Sequence, residues 1–335
     1  MRVLLDHPNP FLLAHGGLQI QIEQTKKALE GLGVEVDFLH WWDSRQTTDL
    51  IHFFGRPHPA YIQQAKKKNI PVIFSDLLGG LSSRPPILRF IQKGIICMAQ
   101  LTMPKEFTIR MGWASYQTAA RVIALTPWEK HLMLELFGAH PDKVAVVPNG
   151  VERLFFQRGA RKKRKNHLIA TMTITEVKRP IELVRAAVLA KTKIRIFGLP
   201  YQRDGAYFRR FLDEVRQARP WVDYLGGIAD RRRLAAEYRQ AAGFVLLSSW
   251  ESQSLSALEA AACGCPLLLS DLPWARSSFG DRASYAPLAS SEVTAGFLRR
   301  FMEGIENAPK AEKVLSWEEV ATCLIQVYRE AMTCR

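Results

Sequence analysis

The segment from Gly243 to Ser270 constrains the fold of this chain more than any other part of the sequence. It reads GFVLLSSWESQSLSALEAAACGCPLLLS and predicts a strand, a polar loop, a helix and a second strand over 244–247, 248–254, 255–263 and 266–269. Short apolar runs bounded by Ser and Gly are typical of strands buried on both faces of a parallel sheet. Gly264 has the usual position of a helix-ending glycine, and Pro266 prevents the helix from continuing. The segment therefore predicts part of an open α/β sheet.

Two carboxylates lie inside this segment. Glu251 belongs to the polar loop, and Glu259 is the only charged side chain between Leu255 and Leu269. Burying an ionised carboxylate is costly unless other groups hydrogen-bond it. Glu259 is therefore the first candidate for a contact with a ligand.

The alternation of strands and helices runs through the whole chain of 335 residues, which is long enough for about two domains. Strands are predicted at 1–6, 34–39, 49–54, 70–75, 121–125 and 144–147, and again at 167–172, 193–197 and 222–225 before the opening segment. Between the two series lie the turn PNGVE and a basic, polar segment, 157–166. We expect two α/β domains that divide there, at residues 155 and 156.

The composition of the chain limits the classes of molecule that it is expected to bind and its expected location. The formal net charge of +14 indicates anionic partners, such as nucleotide phosphates, an acidic membrane surface or nucleic acid. The densest basic run, RKKRK at 161–165, is interpreted mainly as a solvated linker, and no compact motif supports nucleic-acid binding. Five scattered cysteines favour reduced thiols and a cytoplasmic location. No run of about 18 apolar residues is present.

The segment 84–113 interrupts the alternation and leaves two interpretations open. Apolar residues between Ile87 and Ile96 are interleaved with Arg89 and Lys93, so basic and apolar faces would segregate on a helix lying at a membrane interface. The same pattern fits an ordinary helix packed on its own domain, which we favour. Peripheral contact with an anionic membrane, on its inner face, follows from the first interpretation.

Three polar features follow predicted strands. Gly16 and Gly17 come after the first strand and open a helix, Lys178 follows the strand at 167–172, and Glu251 follows the strand at 244–247. In open α/β sheets, ligands bind outside the carboxyl ends of the strands. A glycine pair at a helix start also lets backbone N–H groups approach an anion closely.

With these residues in view, the chain resembles the retaining glycosyltransferases of family 4, which have the GT-B fold. Glu251 and Glu259, within ESQSLSALEAAACGCPLL, are similar to the E-x7-E element of that family. Supporting similarities are VIALTPWEKHLM at 122–133, VAVVPNGVE at 144–152 and SWEEVATCLIQVYREA at 316–331. The resemblance implies two tandem Rossmann-like domains that face each other across a cleft. It also implies an acceptor domain at 1–155, joined by a C-terminal helix at 317–335, and a nucleotide-sugar domain at 156–316.

The resemblance assigns a role to each matching residue. Gly17, with Gly16, would lie beside the donor phosphates, and Lys178 would hold the diphosphate. Glu251 would contact a hydroxyl of the donor sugar, and Glu259 the ribose. The backbone N–H groups of Ser254 and Leu255 would meet the distal phosphate.

Three positions depart from the family pattern. Where the family has Gly-Arg-Leu before the lysine, this chain has Met172-Thr173-Ile174, and Arg179 is the candidate to replace the missing arginine. Gln253 and Ser254 stand where Phe-Gly is common, which suggests a more polar sugar pocket. Asp76 lies in the loop where the family often has a histidine, so a role toward the acceptor stays open.

We therefore predict a retaining glycosyltransferase that needs no metal or other cofactor. It would move a sugar from a nucleoside-diphosphate sugar to a saccharide, lipid-linked or small-molecule acceptor. Alternatives are a nucleotide-sugar hydrolase or epimerase on the same scaffold, a non-catalytic protein, and a nucleic-acid-binding protein. The base, the sugar and the acceptor do not follow from the sequence.

Overall fold

The computed structural model describes residues 1–9, 11, 16–156, 164–309 and 314–333, apart from the side chains of Lys105 and Glu106. The chain divides into two compact units. The N-terminal unit comprises Met1–Gly150 and Leu315–Arg335, and the C-terminal unit comprises Val151–Val314. The division at Gly150 falls a few residues before the predicted one, at the PNGVE turn itself.

Six parallel strands form the sheet of the N-terminal unit, in the order β2-β1-β3-β4-β5-β6. They are β1 (Arg2–Asp6), β2 (Glu35–Phe38), β3 (Leu50–Phe54), β4 (Val72–Ser75), β5 (Arg121–Ala124) and β6 (Val144–Val146). The helices between them are α1 (Gly17–Gly31), α2 (Pro59–Lys67), α3 (Gly79–Ser82), α4 (Pro86–Thr102), α5 (Lys105–Arg110), α6 (Ser115–Thr118) and α7 (Pro127–Phe137). All residues of β3 and β4 are buried, as continuous apolar strands covered on both faces should be.

The C-terminal unit repeats this architecture with the strand order β12-β11-β10-β7-β8-β9, again all parallel. Its strands are β7 (Lys165–Thr171), β8 (Ile194–Phe197), β9 (Val222–Tyr224), β10 (Ala241–Leu246), β11 (Leu267–Ser270) and β12 (Ser284–Ala286). Its helices are α8 (Arg153–Phe156), α9 (Pro180–Ala190), α10 (Ala206–Gln217), α11 (Arg231–Gln240), α12 (Leu255–Ala262), α13 (Pro273–Phe279) and α14 (Ser291–Glu303). The predicted pair of Rossmann-like domains is confirmed.

The last helix, α15 (Trp317–Thr333), returns to the N-terminal unit and packs on α1, as the resemblance implies. The hydroxyl of Tyr328 lies 2.7 Å from Nδ1 of His52, whose Nε2 lies 2.8 Å from Oγ of Ser75. Burial lowers the pKa of His52 to about 3, so the ring stays neutral in this contact. Gly150 admits the start of α15, because a Cβ there would lie 2.7 Å from the backbone of Trp317.

The observed strands follow the predicted ranges closely, with three informative differences. Strand β10 begins at Ala241 rather than at 244, and β7 begins at Lys165, inside the segment interpreted as a linker. Residues 161–163 of the basic run lie outside the described residues. Helix α13 and strand β12 were not predicted from the sequence, because a three-residue edge strand such as Ser284–Ala286 is too short to show a period.

The segment 84–113 forms helices, but most of the apolar residues of α4 do not face the unit. Only Ile96 and Ala99 of α4 are buried, while most of its large apolar side chains are exposed. The interpretation that we favoured, an ordinary helix packed on its own domain, is therefore wrong for the apolar face.

One glycine at the carboxyl edge of the second sheet has no room for a side chain. Gly198 follows β8 with a φ of 150°, and a Cβ there would lie 1.7 Å from the carbonyl oxygen of Met172. We expect Gly198→Ala to lower the free energy of unfolding by roughly 2–5 kcal/mol, because the new methyl group would strain the backbone and displace the backbone at Met172.

Gly296→Ala is the matched control, because this glycine lies inside α14 with nothing within 4 Å of the added methyl group. It should raise the free energy of unfolding by about 0.5–1 kcal/mol through helix propensity. Urea titration followed by circular dichroism measures both variants. Equal effects of the two substitutions would contradict this account of Gly198.

Candidate active site

The strand order of the C-terminal unit creates a crevice between β7 and β10. The chain adds β8 and β9 on one side of β7 and then returns to place β10 on the other side. The loops after β7 and β10 therefore leave the sheet side by side and diverge, which is the position where open α/β sheets bind ligands. Lys178 lies in the first of these loops and Glu251 in the second.

The two loops are joined by hydrogen bonds at this point. The backbone N–H of Ser249 donates to the carbonyl of Val177 over 2.8 Å, and the Ser249 hydroxyl donates to the same oxygen over 3.1 Å. The carbonyl of the preceding residue, Ser248, accepts over 2.6 Å from the hydroxyl of Ser270, which lies at the end of β11. These bonds fix the backbone that carries both charged side chains.

Lys178 and Glu251 form an ion pair across the crevice. The Lys178 ammonium donates to Oε1 of Glu251, and the Ser248 hydroxyl donates to the same oxygen over 2.7 Å. The Glu251 side chain is 11% exposed and that of Lys178 is 23% exposed, so water reaches the pair without surrounding it. The structure thus brings together two residues that the sequence analysis selected separately.

Helix α12 begins next to Glu251. Ser254 caps the helix, since its hydroxyl accepts from the backbone N–H of Ala257 over 3.3 Å, and the helix starts at Leu255. A helix N-terminus carries positive potential from its aligned backbone dipoles, which favours an anion. Gln253 is half-buried in the bend before the cap. A cation, a carboxylate and a helix N-terminus therefore lie along one stretch of the crevice.

Arg179 does not extend this cluster. It has a left-handed backbone conformation, with a φ of 53°, at the start of α9. Its guanidinium donates to the carbonyl of Ala289 over 3.1 Å and lies 3.8 Å from Glu182. In the structure Arg179 thus contacts the loop after β12. Its binding of a donor phosphate stays a prediction.

Glu259 has protein partners that the sequence analysis missed. Arg231, the first residue of α11, donates to Oε1 of Glu259 and, over 2.7 Å, to Glu152. The Tyr238 hydroxyl donates to Oε2 over 3.4 Å and lies 2.5 Å from Oγ1 of Thr171, at the end of β7. Protein groups therefore already provide the hydrogen bonds that a buried carboxylate needs, and the predicted contact of Glu259 with ribose stays a prediction.

Burial raises the pKa of Glu259 above its usual value, and the positive charge of Arg231 opposes that shift. Arg231 could not be found from the sequence, because nothing in the run of three arginines shows which one crosses to α12. Its position directly after the Asp230 cap is the only local signal. Cys263 and Cys265 are buried near this cluster, and burial raises the pKa of each thiol to about 12.

The N-terminal unit has a corresponding crevice between β1 and β3, with Gly16 and Gly17 at the start of α1. Gly16 has a φ of 148° and a ψ of −160°, a conformation that is essentially restricted to glycine. Asp6, at the end of β1, accepts from the Tyr61 hydroxyl over 2.7 Å. The loop that joins Asp6 to Gly16 includes residues 10 and 12–15, which lie outside the described residues.

Asp76 is held by neighbours in the same unit. Nε of Arg56 donates to Oδ2 of Asp76 over 2.9 Å, and the Tyr116 hydroxyl donates to the same oxygen. The guanidinium of Arg56 lies over the rings of Tyr116 and Phe137. This network explains why an acid is buried after β4, and the acceptor role of Asp76 stays a prediction. Within the described ranges, no three His, Cys, Asp or Glu side chains are placed to hold a metal ion together.

We expect Arg231→Met to lower the free energy of unfolding by roughly 3–5 kcal/mol at pH 7, because Glu259 loses its countercharge while it stays buried. A carboxyl whose pKa is raised in the folded state is disfavoured there as pH rises through that pKa. Removing Arg231 raises the pKa of Glu259 further, so the loss should shrink as pH falls toward the unfolded glutamate pKa of about 4.3.

Urea unfolding of Arg231→Met at pH 7.5 and pH 5 tests this expectation. The double variant Arg231→Met/Glu259→Gln is the control, and it should show a smaller and nearly pH-independent loss. A destabilisation of the single variant that is the same at both pH values would contradict the pairing.

Comparison with known proteins finds a family whose model matches most of the C-terminal unit. Residues 151–304 match the family described as "Glycosyl transferases group 1". The D-inositol 3-phosphate glycosyltransferase of Streptosporangium roseum is 28% identical over 64% of the chain and 56% of its own length. That of Thermobifida fusca is 29% identical over 70% of the chain and 61% of its own length. The matched part of the chain thus spans somewhat more than half the length of these relatives.

Solved structures share the fold over the whole chain. A sucrose-phosphate synthase from Thermosynechococcus elongatus superposes with a TM-score of 0.75 at 18% identity and covers 100% of both chains. Anabaena HepE, solved in complex with UDP and glucose, superposes with a TM-score of 0.65 at 13% identity over 100% of this chain and 99% of its own. The C-terminal unit of the chain is therefore similar to glycosyl transferases group 1 domains, and this similarity supports the prediction of an enzyme.

Proposed function

We propose that the chain transfers a sugar from a nucleoside-diphosphate sugar to an acceptor hydroxyl, with retention at the anomeric carbon and without a metal cofactor. The observation that carries the proposal is the Lys178–Glu251 ion pair beside the N-terminus of α12, in the crevice between β7 and β10. The named activity of the relatives, and the UDP and glucose bound to Anabaena HepE, support a donor of this kind.

Lys178 is the residue proposed to hold the diphosphate. Its ammonium is partly desolvated and paired with Glu251, so a donor diphosphate can replace one anionic partner with another at little cost in solvation. As the bond between the anomeric carbon and the phosphate oxygen breaks, negative charge grows on the departing diphosphate. Lys178 and the first N–H groups of α12, from Ser254 and Leu255, would stabilise that charge where it develops.

Glu251 is then available to the sugar. A carboxylate accepts well from two neighbouring hydroxyl groups, and the Ser248 hydroxyl keeps the side chain oriented when Lys178 turns to the diphosphate. Gln253 would add a polar contact at the same end of the crevice. Glu259 retains acceptor positions beyond those used by Arg231 and Tyr238, which fits a contact with ribose hydroxyls.

The proposed chemistry needs no separate base. The acceptor oxygen forms its bond to the anomeric carbon on the face from which the diphosphate departs, and a phosphate oxygen takes the acceptor proton. The products are the glycoside and the nucleoside diphosphate. Gly16 and Gly17 allow an anion to approach the start of α1 closely. We include in the proposal that they lie beside the phosphates of the same donor.

A panel of UDP, GDP, ADP and dTDP in a thermal unfolding assay should identify the nucleotide, because a ligand at 100 times its Kd adds about 2.7 kcal/mol of stability. With that donor and acceptor mixtures, Lys178→Ala and Glu251→Gln should each lower kcat/KM by roughly a hundredfold or more. The unfolding midpoint of Glu251→Gln should stay near that of the native protein, whereas that of Lys178→Ala should fall because Glu251, 11% exposed, loses its countercharge. Both variants are therefore assayed well below their own midpoints.

Glu214→Gln is the matched control. It removes the carboxylate of an exposed ion pair with Arg185 in the same unit, away from the crevice, and should leave transfer unchanged. Full activity of both Lys178→Ala and Glu251→Gln would overturn the site. Release of free sugar, or a changed sugar, at the same rate with and without acceptor would favour the hydrolase or epimerase alternative.

A further inference from the structure

The apolar face of α4 points away from the unit to which the helix belongs. Ile87, Phe90 and Leu101 are 70%, 76% and 86% exposed, and Leu88, Ile91, Ile95 and Met98 are also exposed. A helix on the surface of a folded domain normally turns its apolar stripe inward, because burial of that stripe drives the packing. Here the stripe faces outward over most of the length of the helix.

Helical geometry shows that this exposure is organised. At 100° per residue, Phe90, Leu101, Ile87, Met98 and Ile95 fall on one continuous arc of α4. The opposite side, with Ile96 and Ala99, packs on the unit.

Polar residues hold that packed side. Arg89 donates to Glu135 of α7 over 3.0 Å and lies over the ring of Trp128 at 4.6 Å. The helix is therefore anchored by its polar edge while it presents its apolar face.

Basic residues outnumber acidic ones in the segment that contains α4 and α5, and two of them are exposed beside the apolar face. Between residues 83 and 112 the sequence contains Arg84, Arg89, Lys93, Lys105 and Arg110 against a single acid, Glu106. Lys93 is exposed beside the apolar arc, and so is Arg110 at the end of α5. Met103, Phe107 and Met111 continue the apolar surface beyond α4. Such a combination of apolar and basic groups is complementary to an anionic lipid surface.

A second exposed element leaves the same edge of the sheet. Trp41 and Trp42, which follow the carboxyl end of β2, are 77% and 84% exposed. Helices α3 and α4 follow the carboxyl end of β4 in the same parallel sheet. Tryptophan favours the interface between water and lipid, because its ring is apolar and its N–H needs a polar partner.

We propose that the N-terminal unit binds the surface of an anionic bilayer through α4, α5 and the Trp41–Trp42 pair. Helix α4 would lie in the plane of the interface with its apolar arc among the acyl chains and the exposed basic residues at the headgroups. Among the described helices, none is long and apolar enough to cross a membrane. The proposal goes beyond the transfer reaction, and binding to vesicles is measured without a donor, so either proposal can fail alone.

Flotation of the native protein with vesicles of phosphatidylglycerol and phosphatidylcholine tests the proposal. We expect binding that weakens as salt rises and that is weaker on vesicles of phosphatidylcholine alone. The variant Ile87→Gln/Phe90→Gln/Leu101→Gln should bind roughly a hundredfold more weakly or worse, and Lys93→Glu roughly fivefold or worse on the anionic vesicles. All four side chains are exposed, so the unfolding midpoints should stay native-like.

Matched controls distinguish binding through this surface from non-specific hydrophobic or electrostatic binding by other parts of the chain. Leu32→Gln/Leu189→Gln/Val293→Gln removes three exposed apolar side chains elsewhere, and Lys67→Glu reverses an exposed charge on α2. Both should bind as the native protein does. Native binding by the α4 variant overturns the proposal, and so does an absence of native binding at low salt. Self-association lost only in the α4 variant, without vesicle binding, would overturn it in favour of a second copy of the chain.

Discussion

Buried carboxylates need partners, and this requirement organises the polar parts of both sheets. The parallel strands leave little at their centres except apolar side chains, so charged groups gather in the loops and the first turns of the helices beyond the carboxyl edges. There Glu251 is paired with Lys178, Glu259 with Arg231, and Asp76 with Arg56 and Tyr116. An acid left without such a partner would destabilise the fold by several kcal/mol or would lose its charge.

The pairs differ in what they leave available. Asp76 is enclosed by an arginine and a tyrosine that stack on neighbouring rings, which makes it part of the framework of the N-terminal unit. Glu259 is tied to Arg231 but retains acceptor capacity. The Lys178–Glu251 pair is the most open to exchange, because it joins two loops at the crevice and remains in contact with water. A diphosphate can then bind Lys178 while a sugar hydroxyl donates to Glu251.

Much of this could be predicted from the sequence. All strands except the short edge strand β12 were predicted, because fully buried strands are continuous apolar runs. Lys178 and Glu251 were selected because they follow such runs. Arg231 was missed since its contact with Glu259 joins two helices at a distance of many residues along the chain. The segment 84–113 shows another limit. Its pattern indicates an amphipathic helix, but only the structure shows which face of α4 turns outward, because Arg89 finds Glu135 and Trp128 on the inner side.

The central claim is that donor binding breaks the Lys178–Glu251 ion pair, so that Lys178 contacts the diphosphate and Glu251 contacts the sugar. Isothermal titration with the nucleoside diphosphate alone, without the sugar, tests it most directly. The account predicts that Lys178→Ala binds the nucleotide at least about tenfold more weakly than the native protein, since one charged contact to phosphate is lost. Glu251→Gln should bind it at least as tightly as the native protein, because Lys178 no longer has a competing partner. Native affinity in Lys178→Ala, or equally weakened binding in both variants, would contradict the account.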